Sequence, residues 1–348
     1  MRKGLVRGTL VLLLMLSVVT LGICAGNSEK PAATGARKYT VGVSNFSVGN
    51  SYRVQMIENI RQKYLKLKQD GVMDNLIITN SNMDVNKQIA DVKDLITQKV
   101  DAILITALSS AALSPVCEDA ISKGIVVVSF NSQVDSDKIT SKVVEDEYLF
   151  GQIGGEWLVK ALGGKGNIII LSGIAGNDTN ELRAQGAKDA FNKSPGIKIL
   201  GEGFGEWDYA KGKVAVENLL AANPQIDGVY SQGGAMTLAA VDAFIEAGRP
   251  LVPMTGESNN GFLKAWKKYS GKDKFDSVAP IVRDNTGAIA LETAIKALKG
   301  ETVQKITKLQ REVITSADID KYVKMDLPDS FWCGSDLPDD VVKQLFTK

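Results

Sequence analysis

The side chains best suited to chemistry in this chain are amides, hydroxyls, a few charges and aromatic rings that follow short apolar segments. Each hydroxyl of a polyhydroxylated molecule both donates and accepts, and amide, carboxylate and guanidinium groups match it. Aromatic faces cover the less polar C–H surfaces of such a molecule. The candidate residues are Asn50, Tyr52, Arg53, Asn131, Arg183, Trp207, Glu257, Ser258, Asn259 and Asp284. The set predicts a site for a neutral ligand rich in hydroxyls, although any single member could instead cap a turn or a helix.

Catalytic chemistry is narrowly limited by composition. The chain has no histidine, which excludes Ser–His–Asp and Cys–His catalysis and any His-ligated zinc. Glu257 with Asp284 is the one carboxylate pair that we consider for acid–base work. The glycines of 201–205 lack the spacing of a dinucleotide-binding turn, and the net charge of +1 with no basic run argues against nucleic acid. We therefore expect no cofactor, no metal and no enzymatic activity.

The elements that position these residues alternate regularly. Apolar strand-like segments such as Tyr39–Ser44 and Ala102–Thr106 are separated by amphipathic helical patterns, and the same rhythm restarts near Asp146. Continuous apolar strands between helices indicate parallel sheets that are covered on both faces. Two successive runs predict an α/β fold of two similar Rossmann-like lobes. Because open α/β sheets bind ligands at the carboxyl ends of their strands, the candidate loops should line a cleft between the lobes.

The first residues resemble an export signal. Arg2, Lys3 and Arg7 precede an apolar run that ends at Cys24 and is shorter than a membrane-spanning helix. Leu21–Cys24 resembles a bacterial lipobox, in which Cys24 is lipidated, although Ile23 is bulkier than the usual residue there; the alternative is conventional cleavage near Ala25. We expect an exported protein, periplasmic or at the cell surface, with a signal peptide over 1–24 and a flexible tether over 25–38.

The two remaining cysteines leave one question open. Cys117 and Cys333 form an even pair in an exported chain, which makes them a candidate disulfide. Buried free thiols are equally compatible with the sequence.

Taken together, the motifs resemble those of the substrate-binding proteins of bacterial monosaccharide ABC importers, the ribose-binding-protein-like branch of the type I periplasmic binding fold. The resemblance covers residues 39 to about 315 and depends on the order and spacing of its pieces. These are VGVSNFSVGNSYRVQM (41–56), DVNKQIADVKDLITQKVDAILI (84–105), GKGNIIILSGIAG (164–176), GEWDYAKGK (205–213), DGVYSQGGAM (227–236) and TGESNNGFLKAW (255–266).

The resemblance implies ligand contacts for matched positions. It adds Ser44 to the candidates and places Asn131 where the family commonly has an Asp. Trp207 matches an aromatic residue that stacks on the sugar ring. Gly233 stands where the family often has Asn, which opens space or removes a contact.

The family's organisation implies a hinge of three chain segments, near Asp146, near Ser258 or Arg283, and near Val313. The N-terminal lobe would then comprise 39–145 plus about 283–312. The C-terminal lobe would comprise 146–282 plus about 313–325, followed by a C-terminal extension over 326–348.

The implied function is extracytoplasmic binding of a pentose or hexose by a monomer, hinge closure of the lobes, and delivery to the membrane permease. Two alternatives stay open at this point: a sensor that hands a signalling furanose or a nucleoside to a receptor, and an exported carbohydrate-acting enzyme.

Overall fold

The structure is a computed structural model and describes residues 37–346. The expected signal peptide, the lipidation site at Cys24 and the tether up to residue 36 lie outside the described residues. From the end of the expected tether, the Arg37 guanidinium pairs with the Asp101 carboxylate.

Twelve strands are found in residues 37–346, and they form two six-stranded sheets. The strands are β1 (Tyr39–Asn45), β2 (Met73–Asn80), β3 (Ala102–Ile105), β4 (Val126–Phe130), β5 (Ser141–Glu145), β6 (Lys165–Ser172), β7 (Gly196–Phe204), β8 (Gly228–Ser231), β9 (Met254–Thr255), β10 (Ser277–Pro280), β11 (Ile306–Leu309) and β12 (Val313–Ile314). The first sheet has the order β11-β5-β4-β3-β1-β2 and is parallel throughout. The second has the order β12-β10-β9-β8-β6-β7, in which only β12 runs antiparallel to its neighbour.

Helices cover both faces of each sheet, which confirms the predicted two-lobe α/β class. They are α1 (Ser51–Gln69), α2 (Val85–Thr97), α3 (Ser110–Ser122), α4 (Glu147–Ala161), α5 (Asp178–Asn192), α6 (Tyr209–Ala222), α7 (Gly234–Glu246), α8 (Asn260–Tyr269), α9 (Thr286–Leu298), α10 (Ile319–Tyr322) and α11 (Asp339–Phe346). Two buried clusters sandwich the first sheet and two more sandwich the second. No helix within residues 37–346 is long and apolar enough to cross a membrane.

Polar residues at the helix starts explain why the chain turns where it does. The side chains of Asn50, Asp146, Asn177, Asp208 and Asn259 each accept a hydrogen bond from a backbone N–H in the first turn of the following helix. Such caps satisfy N–H groups that have no partner within the helix. Because these helices begin just after the carboxyl ends of strands, capping residues and cleft residues come from the same loops.

The chain passes between the lobes at three places within the described residues. These are the junction of β5 and α4 around Asp146, the segment 281–285 between β10 and α9, and the segment 310–312 between β11 and β12. Of the two alternatives for the second passage, the structure therefore selects the one at Arg283 over Ser258.

Candidate functional site: a cleft between the two lobes

A cavity lies between the lobes at the carboxyl ends of both sheets, with about 380 Å³ of space free of protein atoms, part of which is open to solvent. Its walls come from both lobes and from the C-terminal segment. The lining residues are Asn50, Tyr52, Arg53, Asn131, Ser132, Thr179, Arg183, Trp207, Glu257, Val282 and Trp332.

Arg53 forms the centre of the first lobe's wall. Its Nη1 donates to Thr106 Oγ1 at 3.1 Å, its Nη2 donates to Asn131 Oδ1 at 3.1 Å, and its guanidinium carbon lies 3.6 Å from the centroid of the Phe46 ring. Burial lowers the pKa of Arg53 to about 10, so the group stays charged at neutral pH. None of the described carboxylates forms an ion pair with it, which leaves a positive group at the cleft with neutral acceptors only.

Asn131 and Tyr52 continue this wall. Asn131 Nδ2 donates to Tyr52 Oη at 3.1 Å, and Tyr52 Oη donates to the Arg283 carbonyl oxygen at 3.0 Å. Asn131 has a φ of 56°, in the left-handed region where Asn is tolerated better than most residues. These bonds fix the orientation of the Asn131 amide.

Arg183 forms the matching centre of the second lobe. Its Nε donates to Glu147 Oε2 at 2.6 Å, and its Nη1 donates to Glu257 Oε1 at 2.9 Å and to the Gln232 carbonyl oxygen at 2.7 Å. Burial raises the pKa of Glu257, and Arg183 opposes that shift. The charge-assisted bonds hold both the guanidinium and the Glu257 carboxylate in fixed directions at the cavity wall.

The charges of the cleft continue into the segments that connect the lobes. Arg311 lies on the 310–312 segment, with Nη1 3.5 Å from Glu145 Oε1 and Nη2 3.2 Å from Glu147 Oε1. Arg311 Nη1 also donates to the Ile281 carbonyl oxygen at 3.0 Å. Burial raises the pKa of Glu145 to about 7, against the lowering effect of Arg311. Burial also opposes ionisation of Glu147, but Arg183 and Arg311 together lower its pKa. One buried ionic cluster therefore joins all three passages between the lobes to Arg183, which lines the cavity.

Trp207 occupies a slot between two glycines. A Cβ at Gly173 would lie 2.2 Å from Trp207 Cε2 and Cζ2, and a Cβ at Gly233 would lie 2.8 Å from Trp207 Cδ1. Glu206 and Trp207 have φ values of 52° and 57°, a left-handed conformation that is unfavourable for bulky residues and occurs often at ligand sites. The space that Gly233 was expected to open is thus filled by the indole, whose buried Nε1 has no hydrogen-bond partner among the described residues.

The lobes touch directly across the cleft. Asn177 Nδ2 donates to the Ala107 carbonyl oxygen at 3.1 Å, and the backbone N–H of Gln133 donates to Asp178 Oδ2 at 3.0 Å. Ser132 Oγ lies 3.3 Å from Thr179 Oγ1. Burial raises the pKa of Asp178 to about 7. The two lobes are thus joined by direct hydrogen bonds beside the cleft.

Seven of the eleven predicted ligand-binding residues line the cavity, namely Asn50, Tyr52, Arg53, Asn131, Arg183, Trp207 and Glu257. The other four do not. Ser44 Oγ accepts from Gln88 Nε2, Ser258 Oγ accepts from the Val282 N–H, Asn259 caps α8, and Asp284 binds Gln55 Nε2 and Ser335 Oγ. The structure adds Ser132, Thr179, Val282 and Trp332, and of these only Ser132 directly follows a predicted site residue.

The candidate disulfide between Cys117 and Cys333 is absent, since both are free buried thiols. Cys117 packs in a cluster of the first lobe and Cys333 in the main cluster of the second, so each serves as a small core residue. Within residues 37–346 no group of three or more His, Cys, Asp or Glu side chains is arranged to hold a metal ion.

Comparison with known proteins places this geometry in context. Residues 41–302 match the family described as periplasmic binding protein domain. The ribose import binding protein of Bacillus subtilis is 27% identical over 84% of this chain and 94% of its own length. The xylitol-binding protein of Mycolicibacterium smegmatis is 31% identical over 70% of each chain. Among solved structures, an ABC transporter periplasmic solute binding protein from Actinobacillus succinogenes with bound D-allose superimposes with a TM-score of 0.72 at 25% identity, covering 82% of this chain and all of that one.

Proposed function

We propose that this chain, which belongs to the periplasmic binding protein family, binds one monosaccharide between its lobes and delivers it to the membrane permease of an ABC importer. The observation that carries the proposal is the lining of the cleft between the lobes, which combines fixed hydrogen-bonding groups with two tryptophans. Family membership and the sugar-binding relatives support it.

The lining suits a sugar on chemical grounds. Asn50, Asn131, Ser132 and Thr179 offer neutral donors and acceptors, while Arg183 and Glu257 offer charged ones. Closure removes water, so a ligand that lacks one hydroxyl leaves a buried group unpaired, at about 1–3 kcal/mol for each group. Specificity therefore follows from the number and the directions of these bonds.

We propose that the seven predicted residues that line the cavity contact the sugar directly. The remaining four act as positioning residues: Asn259 and Ser258 hold the loop before α8, Ser44 holds Gln88, and Asp284 holds Gln55. The lobes would open and close by hinge rotation at the three passages around Asp146, 281–285 and 310–312.

A glycosidase function is less well supported by the same geometry. The proposed pair would be Glu257 and Asp284, but only Glu257 lines the cavity. Glu257 is held by Arg183 and by the Gly234 N–H, and Asp284 accepts hydrogen bonds from Gln55 and Ser335. We therefore propose a binding protein with no catalytic step, and export guided by the N-terminal signal, with Cys24 as the candidate lipid anchor.

The test is a ligand panel on purified protein from residue 37 onward. D-ribose, D-allose, L-arabinose, D-galactose, xylitol and myo-inositol are each titrated by calorimetry and checked by thermal shift, because a ligand of the folded state raises the melting temperature. We expect at least one to bind with micromolar or tighter affinity. Trp207→Ala should abolish this binding, while Trp157→Ala should not, because Trp157 is a partly buried residue of α4 that packs against a separate cluster. Failure of every sugar to bind or to stabilise the protein would refute the proposal.

A further inference from the structure

We propose that the C-terminal segment 326–338, here called the strap, is part of the binding site: it links the two lobes and supplies Trp332 as a ligand-contacting wall. The inference deepens the proposed function and rests on it for the identity of the ligand. Three sets of contacts carry it.

The strap is held firmly by the second lobe. Asn260 N–H donates to the Phe331 carbonyl oxygen at 2.8 Å, and Gly261 N–H donates to the Asp329 carbonyl oxygen at 3.0 Å. The Cys333 N–H donates to the Ser258 carbonyl oxygen at 2.8 Å. Phe331 and Cys333 are buried in the main hydrophobic cluster of that lobe.

Trp332, between these two residues, belongs to the first lobe instead. Its side chain packs in the first lobe's cluster with Tyr52 and Val282, and its ring meets the Tyr52 ring edge-on at 5.4 Å between centroids. The Trp332 N–H donates to Gln55 Oε1 at 2.7 Å, and Gln55 Nε2 donates back to the Trp332 carbonyl oxygen at 3.2 Å. Three consecutive residues, Phe331, Trp332 and Cys333, therefore attach the strap to both lobes.

The Trp332 indole offers the cleft an apolar surface. Its Nε1 donates to Ser51 Oγ at 2.9 Å, so its one polar atom is already paired. Val282, next to it in the same cluster, is the only aliphatic side chain among the lining residues. This end of the cavity fits the C–H face of a sugar ring or of an acyclic polyol, and the polar groups at Arg53, Arg183 and Glu257 fit its hydroxyls.

The binding test uses the same six-sugar panel on Trp332→Leu and Trp332→Phe, with Trp157→Leu as the matched control. We expect Trp332→Leu to weaken the affinity of the bound sugar at least tenfold and Trp332→Phe to retain most of it, because a flat ring is kept. Trp157→Leu should bind as the wild type does. Equal affinity of Trp332→Leu and the wild type overturns the inference. If Trp332→Leu does not fold, Ser51→Ala, which frees the indole to turn, should weaken binding at least threefold, and unchanged affinity there overturns it.

A second measurement needs no sugar. Hydrogen exchange followed by mass spectrometry should show the amides of 331–333 protected in the ligand-free protein. Gln55→Ala removes the acceptor of the Trp332 N–H and should raise the exchange of that amide at least tenfold without changing that of β8. Exchange of 331–333 at the rate of an unstructured peptide in the wild type overturns the inference. Failure of all six sugars on wild-type protein with a protected strap would instead refute the proposed function and leave the link between the lobes supported.

Discussion

Replacing Gly173 by Ala tests whether the position of the Trp207 ring governs sugar affinity. The new methyl carbon would lie 2.2 Å from Trp207 Cε2 and Cζ2 and 2.8 Å from Cη2. Ordinary carbon contacts lie at about 3.5–4.0 Å, so the ring must move by about 1.3 Å or more. The backbone at Gly173 is outside the left-handed region, so Ala adds no strain of its own.

The expected loss follows from this displacement. Overpacking a tight contact costs about 1–3 kcal/mol. Here the steric clash is reduced when the Trp207 ring, which lines the cavity, moves away from the new methyl group. Each 1.4 kcal/mol corresponds to about a tenfold change in affinity. We therefore expect Gly173→Ala to bind the preferred sugar of the panel about 10–100-fold more weakly, while the unfolding free energy falls by less than about 2 kcal/mol.

Calorimetric titration and urea unfolding measure the two quantities separately. Gly201→Ala, on β7 of the same lobe, is the matched control. Its methyl group would meet only the end of the flexible Leu219 side chain, with Cδ2 at 2.8 Å, so the affinity should be unchanged. Trp207→Phe in the Gly173→Ala background should recover part of the lost stability, as coupled neighbours do. Wild-type affinity in Gly173→Ala together with reduced stability would show that the ring's position does not matter for binding.

Three further outcomes are expected. Arg183→Met leaves Glu147 and Glu257 buried without their shared partner and should lower the unfolding free energy in urea by about 3–5 kcal/mol; a loss below about 1 kcal/mol would contradict the role given to this cluster. Burial raises the pKa of Glu145 to about 7 and that of Asp284 to about 6, above the unfolded values of about 4. Because the folded state then binds more protons than the unfolded state, the unfolding free energy should fall as the pH rises from about 4.5 to about 7. A Glu145→Gln variant whose unfolding free energy has the same slope with pH would argue against the assignment of this dependence to Glu145. Burial also raises the pKa of Cys117 and Cys333 to about 12, so peptide mapping should find both unmodified by iodoacetamide at pH 8 in the folded protein and both alkylated in guanidinium, whereas rapid labelling of the native protein would contradict their burial.

Local patterns were sufficient for the fold because most strands are continuous apolar segments between capped helices. β5 does not follow this pattern: its sequence SKVVE alternates buried and half-exposed residues, and its polar ends do not resemble a buried strand. β11 and β12 are short and lie at or near sheet edges, where the apolar signal is weak.

The cleft was predictable only in part, because one kind of loop residue serves two purposes. Asn259 follows a strand just as Asn50 does, yet Asn259 caps α8 away from the cavity whereas Asn50 caps α1 and also lines it. No local pattern distinguishes them. Local sequence could not identify Trp332 as a cavity residue, because its partners Ser51 and Gln55 lie more than 270 residues earlier in the chain.

The ionic cluster that runs from Arg311 through Glu147 to Arg183 has a consequence for how this protein could acquire a new substrate. Any replacement in that cluster alters both the segments that connect the lobes and the wall of the cavity, so we expect few such variants to survive selection. Four cleft positions carry no charge and take no part in this cluster. They are Trp207, Gly173 and Gly233 in the second lobe and Trp332 in the strap. We therefore expect the substrate range in this lineage to change through replacement of the two tryptophans by other rings and of the two glycines by larger residues, while the charged residues of the cluster stay the same.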